Sequence, residues 1–361
     1  MAPDSFKGSA SAIEVAVALE SGWLTVRPKD HVEIAPLADG GEGTLDTIAH
    51  SSEGSKRIPV RVVGPDGALV DAHWLLLADF SAVVELSNTS GIGLLPLPDP
   101  LHAHTRGLGQ AIMAAISHGA PRIRIALGSS CSTDGGVGAL RELGAEFLDD
   151  RGAPVQDGGI GLELIRHVSF DRCVLPPHAG VEVLVDVSNP LLGDRGAART
   201  FAPQKGADPG AVRTLERGLT NLANLLTPDP ALPGSGSAGG TGFGLAHWGA
   251  RLVPGAEAVA EVVNFDRILN GANLVITGEG RFDLQSMDGK LPSFVLDAGR
   301  ARGIPVALVA GSIRHPSSPF SAQQSLEVLA GSVDSAMSEP QKWLTAAGRT
   351  LAYEFTKGWE P

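Results

Sequence analysis

RIRIALGSSCSTDGGVG, residues 122–138, joins a short aliphatic run to a turn of Gly, Ser, Thr and Asp and then to the start of a helical stretch. The same order recurs. His31–Leu37 (HVEIAPL) leads into Ala38-Asp39-Gly40-Gly41-Glu42-Gly43-Thr44, and Val181–Val187 (VEVLVDV) leads into Ser188–Gly193. Asn273–Ile276 (NLVI) leads into Thr277–Asp283, and Pro305–Ala310 (PVALVA) into Gly311-Ser312. Strands alternating with helices predict an α/β fold with a largely parallel sheet, whose ligands bind at the carboxyl ends of the strands where these polar loops gather. Helices are expected over Ala10–Gly22, Thr105–Ser117, Ala211–Leu226, Lys290–Arg302 and Pro340–Phe355, the first with Ser9 or Ser11 as its cap.

Two stretches break the rhythm. VRVVGPDGALVDAHWLLL (60–77) reads as a hairpin turning at Gly64-Pro65-Asp66-Gly67, and it marks the crossing into a second domain. TPDPALPGSGSAGGTGFG (227–244) reads as a loop. Asp4-Ser5-Phe6-Lys7-Gly8 looks like one more loop of the kind that follows a strand, with almost nothing before it to form that strand. Either the true start lies upstream or the fold lacks a first strand.

Composition narrows the function. At about 100–200 residues per domain, 361 residues suggest two domains. Lys and Arg number 28 against 40 Asp and Glu, a net charge of −12 that argues against nucleic acid or an anionic membrane as partner. A small phosphorylated ligand stays compatible, since a few cations hold one locally. The two cysteines, Cys131 and Cys173, build neither a disulfide framework nor a zinc site. No run approaches 18 apolar residues and no signal peptide is legible, so a cytoplasmic protein is expected.

The loops carry the candidate chemistry. Asp39, Gly40, Gly41 and Glu42 set carboxylates beside a backbone that a ligand can approach closely. Ser129, Ser130 and Ser132, with Asp134, precede a helix whose N-terminal N–H groups form an anion cradle. Glu279, Arg281 and Asp283, with Gln285, Gly289 and Lys290 beyond, crowd acids and cations after a strand. Each also has a plain reading: capping for Ser5 and Asp4, turns for the serines, solvated surface for Lys205 and an ion-paired turn for Arg281 and Asp283. A P-loop, HExxH and GxSxG are absent, and Gly107-Leu108-Gly109 starts like GxGxxG but lacks the third glycine and follows a loop rather than a strand, which disfavours a nicotinamide-dependent hydroxyacid reductase. Acid-and-glycine loops with a few cations suit Mg²⁺-assisted phosphoryl transfer.

Read together, the loops resemble the bacterial glycerate kinase family, the type that phosphorylates D-glycerate with ATP. The matching segments are APDSFKGSASAIEVAVALESG (2–22), PLADGGEGTLDT (36–47), ELSNTSGIGLL (85–95) and TRGLGQAI (105–112). LGSSCSTDGGVGALRELGAEFLD (127–149), DVSNPLLGDRGAARTFAPQKGA (186–207), SAGGTGFGLAHWGARLVPGAEAV (237–259) and NLVITGEGRFDLQSMDGKLP (273–292) follow in order. The chain departs from the family loop GGSATNDGG, reading GSSCSTDGG at 128–136, with Ser129 in place of a glycine.

The resemblance implies a flavodoxin-like domain from residues 1–64 and 265–361, an inserted mixed α/β domain at 65–264, and an active site in the cleft between them. It implies ATP and Mg²⁺ and a 2-phosphoglycerate product, with a homodimer left open. On it we expect Asp186 as the base, and Lys7 and Lys205 as catalytic cations. Asp134, Glu279 and Asp283 are expected around the metal. Ser5, Asp39, Gly40, Gly41, Glu42, Ser90, Ser129, Ser130, Ser132, Gly239, Gly240, Arg281 and Lys290 are expected to bind substrate or phosphate. The non-enzyme alternative is a catalytically inactive sugar-acid-binding regulator, which would be expected to lose these acids and lysines.

Overall fold

The computed structural model describes residues 1–287, 290–314 and 319–358. The fold is mixed α/β, as the alternating pattern predicts, and the chain divides into two compact units, described here in turn. One comprises Gly40–Leu45 and Glu53–Gly255; the other comprises Met1–Asp39, Asp46–Ser52 and Ala256–Pro361.

In the unit built from 40–45 and 53–255, the strands are β1 (Lys56–Val63), β2 (Leu69–Leu76), β3 (Ala82–Glu85), β4 (Ile123–Ala126), β5 (Glu146–Leu148), β6 (His167–Ser169), β7 (Val181–Val185) and β8 (Arg251–Pro254). Among the described residues six of them form one sheet in the order β1-β2-β3-β4-β7-β8. The hairpin β1-β2 turns where expected, with Gly64 N donating to Ala68 O at 2.6 Å. From β3 to β8 the strands run parallel. Ala82 and Val84 of β3, Ile123 and Ile125 of β4, and Val181 and Val183 of β7 point into one aliphatic core with Leu108, Ile112, Leu140, Leu219 and Phe243. With few aromatics available, close packing is achieved through glycine. Part of the segment read as loop is helical: within Ser237–Trp248 the backbone is left-handed at Ala238, Gly239 and Gly240 and becomes regular helix from Thr241 onward. Its glycines serve contact: a Cβ on Gly244 would stand 2.3 Å from Gly135 O, and one on Gly242 2.6 Å from Gly234 O.

The other unit carries β9 (Val275–Phe282), β10 (Val306–Ile313) and β11 (Ala322–Ser325), a parallel three-stranded sheet in the order β11-β10-β9. Helix α1 (Ala12–Val26) starts at Ser11, which forms a capping box with Glu14. It packs on α2 (Pro340–Phe355) through glycines on both helices; a Cβ on Gly22 would stand 1.9 Å from Thr345 O. The strand missed before Asp4 is present in rudiment. Ala2 N donates to Ile276 O at 2.7 Å and Asp4 N to Gly278 O at 2.8 Å. On the other side Ala35 N and Leu37 N donate to Met1 O and Pro3 O at 2.8 and 3.0 Å. Residues 1–4 thus lie alongside β9, and His31–Leu37, expected as a strand, forms no regular strand but joins them through these bonds and that from Met1 N to Glu33 O at 2.7 Å.

Candidate active site

In the first-described unit the polar loops meet at the carboxyl ends of the parallel strands. Glu85, the last residue of β3 and 4% exposed, accepts from Gly43 N at 3.1 Å and Leu45 N at 2.9 Å, and from the Ser87 hydroxyl. It thereby fixes the Gly40-Gly41-Glu42 turn, which the Gly128 N to Gly40 O bond at 3.1 Å holds against the serine loop. A Cβ on Gly128 would lie 2.3 Å from the Gly41 Cα, so only glycine permits that approach. Glu85 is not marked as a site residue in the sequence, because a single acid in ELSNTS carries no local pattern and its backbone partners Gly43 and Leu45 lie 42 and 40 residues away.

Ser129 adopts a left-handed φ of 57° and donates to Glu42 Oε2 at 3.1 Å. The family's glycine at this place suits that conformation without strain. Lys205, 3% exposed, points its ammonium beneath the same loop and donates to Ser130 Oγ at 2.8 Å and Ser132 O at 2.5 Å. Among the described residues it makes no ion pair. Burial pulls its pKa from 10.5 down to about 8, against the smaller upward pulls of Cys131 and Asp134. The surface reading of Lys205 is therefore overturned. Cys131 donates to Ser90 O at 3.1 Å and burial raises its pKa to about 12, which keeps it a thiol.

Four buried hydroxyls in this region, those of Ser90, Ser132, Thr133 and Ser237, have no hydrogen-bond partner among the described residues. Gly239 and Gly240, with φ of 65° and 87°, bring their chain onto that loop: a Cβ on Gly239 would stand 2.2 Å from Ser132 O. Buried polar groups rarely stay unpaired, so this cluster marks a polar site. Asp186 directly follows β7 and is half-buried.

Asp134, expected near the metal, is held by its own loop and by Thr105. Its Oδ2 accepts from Thr105 N (2.9 Å), Thr105 Oγ1 (2.8 Å) and Gly138 N (3.2 Å), and its Oδ1 from Gly136 N (3.2 Å). At 1% exposure that carboxylate is filled by protein donors, and it fastens the loop to the helix over Val137–Glu142.

The other expected residues belong to the second-described unit. Asp4, Asp39 and Glu279 form an acidic group at the start of the chain and on β9. Burial, then repulsion from Asp39, raises the Asp4 pKa well above the carboxylate range, despite a 2.6 Å bond from Ser5 N. Burial likewise raises Glu279 to about 7, while a hydrogen bond from Ser286 and then the charge of Lys290 draw it back; its buried Oε1 has no hydrogen-bond partner. Lys7 is exposed on the loop beside Gly280, and Arg281 pairs with Asp283 at 3.3 Å. Gly289 lies outside the described residues. Among the described residues no group of three or more His, Cys, Asp or Glu could cage a metal unaided, and no helix is long and apolar enough to cross a membrane.

Comparison with known proteins accounts for this set of loops. The family model described as "Glycerate kinase family" matches residues 1–356. A glycerate kinase of Halalkalibacterium halodurans is 36% identical, over 98% of this chain and 96% of its own length. A glycerate 2-kinase of Escherichia coli is 38% identical, over 87% of this chain and 84% of its own. A crystal structure described as a glycerate kinase 2 of Salmonella typhimurium superposes with a TM-score of 0.80 at 34% identity, covering 99% of this chain and 97% of that one. Similarity running through both units and every polar loop leads to one conclusion: the chain belongs to the glycerate kinase family and is a kinase.

Proposed function

We propose that this enzyme transfers the γ-phosphoryl group of ATP to the 2-hydroxyl of D-glycerate, giving 2-phosphoglycerate, with Mg²⁺ as the accompanying ion. The observation that carries this reading is Lys205, a buried ammonium with only neutral oxygens against it. Such a charge is costly until an anion shares its site. Both substrates are anions, and the unpartnered hydroxyls of Ser132, Thr133 and Ser237 are further donors. The name of the Escherichia coli relative supports the 2-position.

Asp186 at the end of β7 is assigned as the base. The glycerate oxygen forms its bond to the γ-phosphorus, the bond from that phosphorus to the β,γ-bridging oxygen breaks, ADP leaves with the electron pair, and the hydroxyl proton passes to the Asp186 carboxylate. Base assistance of this kind contributes roughly 10²–10⁴-fold.

The donor set of Glu279 with Asp39 fits a hard dication. Their oxygens repel one another, one is buried without a partner, and Mg²⁺ needs only one or two carboxylates besides phosphate. When bound, the ion would neutralise charge on the phosphate oxygens. Asp134 is left out of this role by its four hydrogen bonds, and Asp283 is engaged with Arg281. A cytoplasmic setting suits the two free cysteines, and the acidic body disfavours nucleic acid.

The test supplies D-glycerate, ATP and Mg²⁺, follows ADP release and identifies the product by ³¹P NMR. A 2-phosphoglycerate resonance is expected; the 3-phosphate would refute the acceptor. Asp186→Asn is expected to lower kcat by about 10²–10⁴-fold with KM near wild type, and an unchanged kcat would move the base elsewhere.

A further inference from the structure

At the carboxyl ends of β9 and β10 lies a cavity of about 520 Å³ lined by Arg281, Asp283, Leu284 and Arg314. The two strands are parallel neighbours, with Arg281 opposite Ser312, so the arginines leave from adjacent strand ends. Arg314 N donates to Phe282 O at 2.8 Å, which ties the two ends together. Each guanidinium also meets a carboxylate, Arg281 with Asp283 at 3.3 Å and Arg314 with Glu327 at 3.0 Å. Both keep solvent-facing N–H groups, since their side chains are 68% and 47% exposed. Leu284 on the same cavity is 71% exposed, an apolar surface with no core to join.

We propose that this cavity receives the nucleotide. Arg281 and Arg314 hold phosphate oxygens, Leu284 covers a face of the base, and Asp283 accepts from a sugar hydroxyl. The assignment rests on the kinase reading above and adds Arg314 and Leu284 to the site. Size favours it, because ligand pockets of roughly 300–1,000 Å³ suit molecules much larger than a three-carbon acid. Chemistry favours it too: two cations, an acceptor and an apolar face match a ligand that is anionic at one end, hydroxylated in the middle and flat at the other. Its place at the carboxyl ends of parallel strands is where such sheets bind ligands. Arginine forks recognise phosphate through paired N–H donors, a geometry that lysine reproduces only in charge.

The test compares wild type with Arg314→Ala, Arg314→Lys, Leu284→Ser and Glu327→Gln. Steady-state kinetics give KM for ATP and for D-glycerate, and calorimetry gives Kd for ADP. Arg314→Ala is expected to raise KM for ATP and Kd for ADP about tenfold, with KM for D-glycerate changed less than twofold. Arg314→Lys should recover part of the loss, and Leu284→Ser should weaken ADP severalfold. Glu327→Gln removes the ion pair but leaves the guanidinium, so near-wild-type ADP binding is expected; a loss equal to that of Arg314→Ala would mean the arginine acts only as a structural pair. A rise in KM for D-glycerate alone would assign the cavity to the acid, and unchanged constants would remove it from the substrate path. If wild type fails to turn over glycerate, the kinase reading falls while ADP calorimetry still judges the cavity.

Discussion

Replacing Lys205 by Met isolates the cost of burying its charge. The folded pKa of about 8 lies some 2.5 units below the ordinary 10.5, worth about 3 kcal/mol at 1.36 kcal/mol per unit. Below pH 8 both folded and unfolded chains hold the proton, and the folded state carries the whole penalty. Between pH 8 and 10.5 the folded lysine sheds its proton while the unfolded one keeps it, so unfolding becomes harder as pH rises. Relative to Lys205→Met, wild type should therefore gain about 3 kcal/mol across that window. Urea unfolding of both proteins at pH 7, 8, 9 and 10, followed by circular dichroism, measures the difference and cancels other titrations. A bound anion restores the proton, so saturating ligand should move the window upward. A difference that stays flat from pH 7 to 10 would refute the account of Lys205 as a buried, uncompensated cation.

Three further substitutions probe the frame around it. Asp134→Ala strips four buried donors of their acceptor and is expected to cost about 4 kcal/mol in urea unfolding; a metal ligand at that position would instead lose activity at unchanged stability. Ser129→Gly relieves a left-handed backbone, so its melting temperature should hold or rise by an amount equivalent to about 1 kcal/mol; a large loss would mean the bond to Glu42 outweighs the strain. Gly22→Ala places a methyl 1.9 Å from Thr345 O and must push α1 off α2, at about 3 kcal/mol by thermal unfolding.

What could be read from the chain follows the range of the forces involved. The α/β class, the hairpin at Gly64–Gly67 and the Ser11 cap are set within a few residues, by period, turn chemistry and capping, and all appear as expected. The helical turns that run on from Thr241 to Trp248 do not show in the sequence, because glycine has two uses. In SAGGTGFG several glycines admit another backbone, a tertiary fact with no mark in the local pattern. Asp134 looked like a ligand for the same kind of reason: an acid beside glycines either faces a substrate or gathers its own loop, and only Thr105, 29 residues earlier, decides which. Glu85, Arg314 and Leu284 take their places from segments brought together by the sheets, so neither residue type nor local spacing singles them out, even where, as for Glu85 and Leu284, they fall inside a matching segment.

The partition of the chain also sets an order of assembly during synthesis. Gly40–Leu45 is bound to residues 53–255 through Glu85, whereas residues 1–39 and 46–52 group with everything after 256. A nascent chain therefore has all the parts of one unit once residue 255 has left the ribosome. The other must wait about 5–20 s more, at 5–20 residues per second, for the roughly 100 residues that supply β9, β10 and α2. During that interval α1 carries its apolar side, Val15, Leu19 and Trp23, without its lasting cover. That exposed helix is where a chaperone would be expected to engage the unfinished protein, and where truncated fragments would be expected to aggregate.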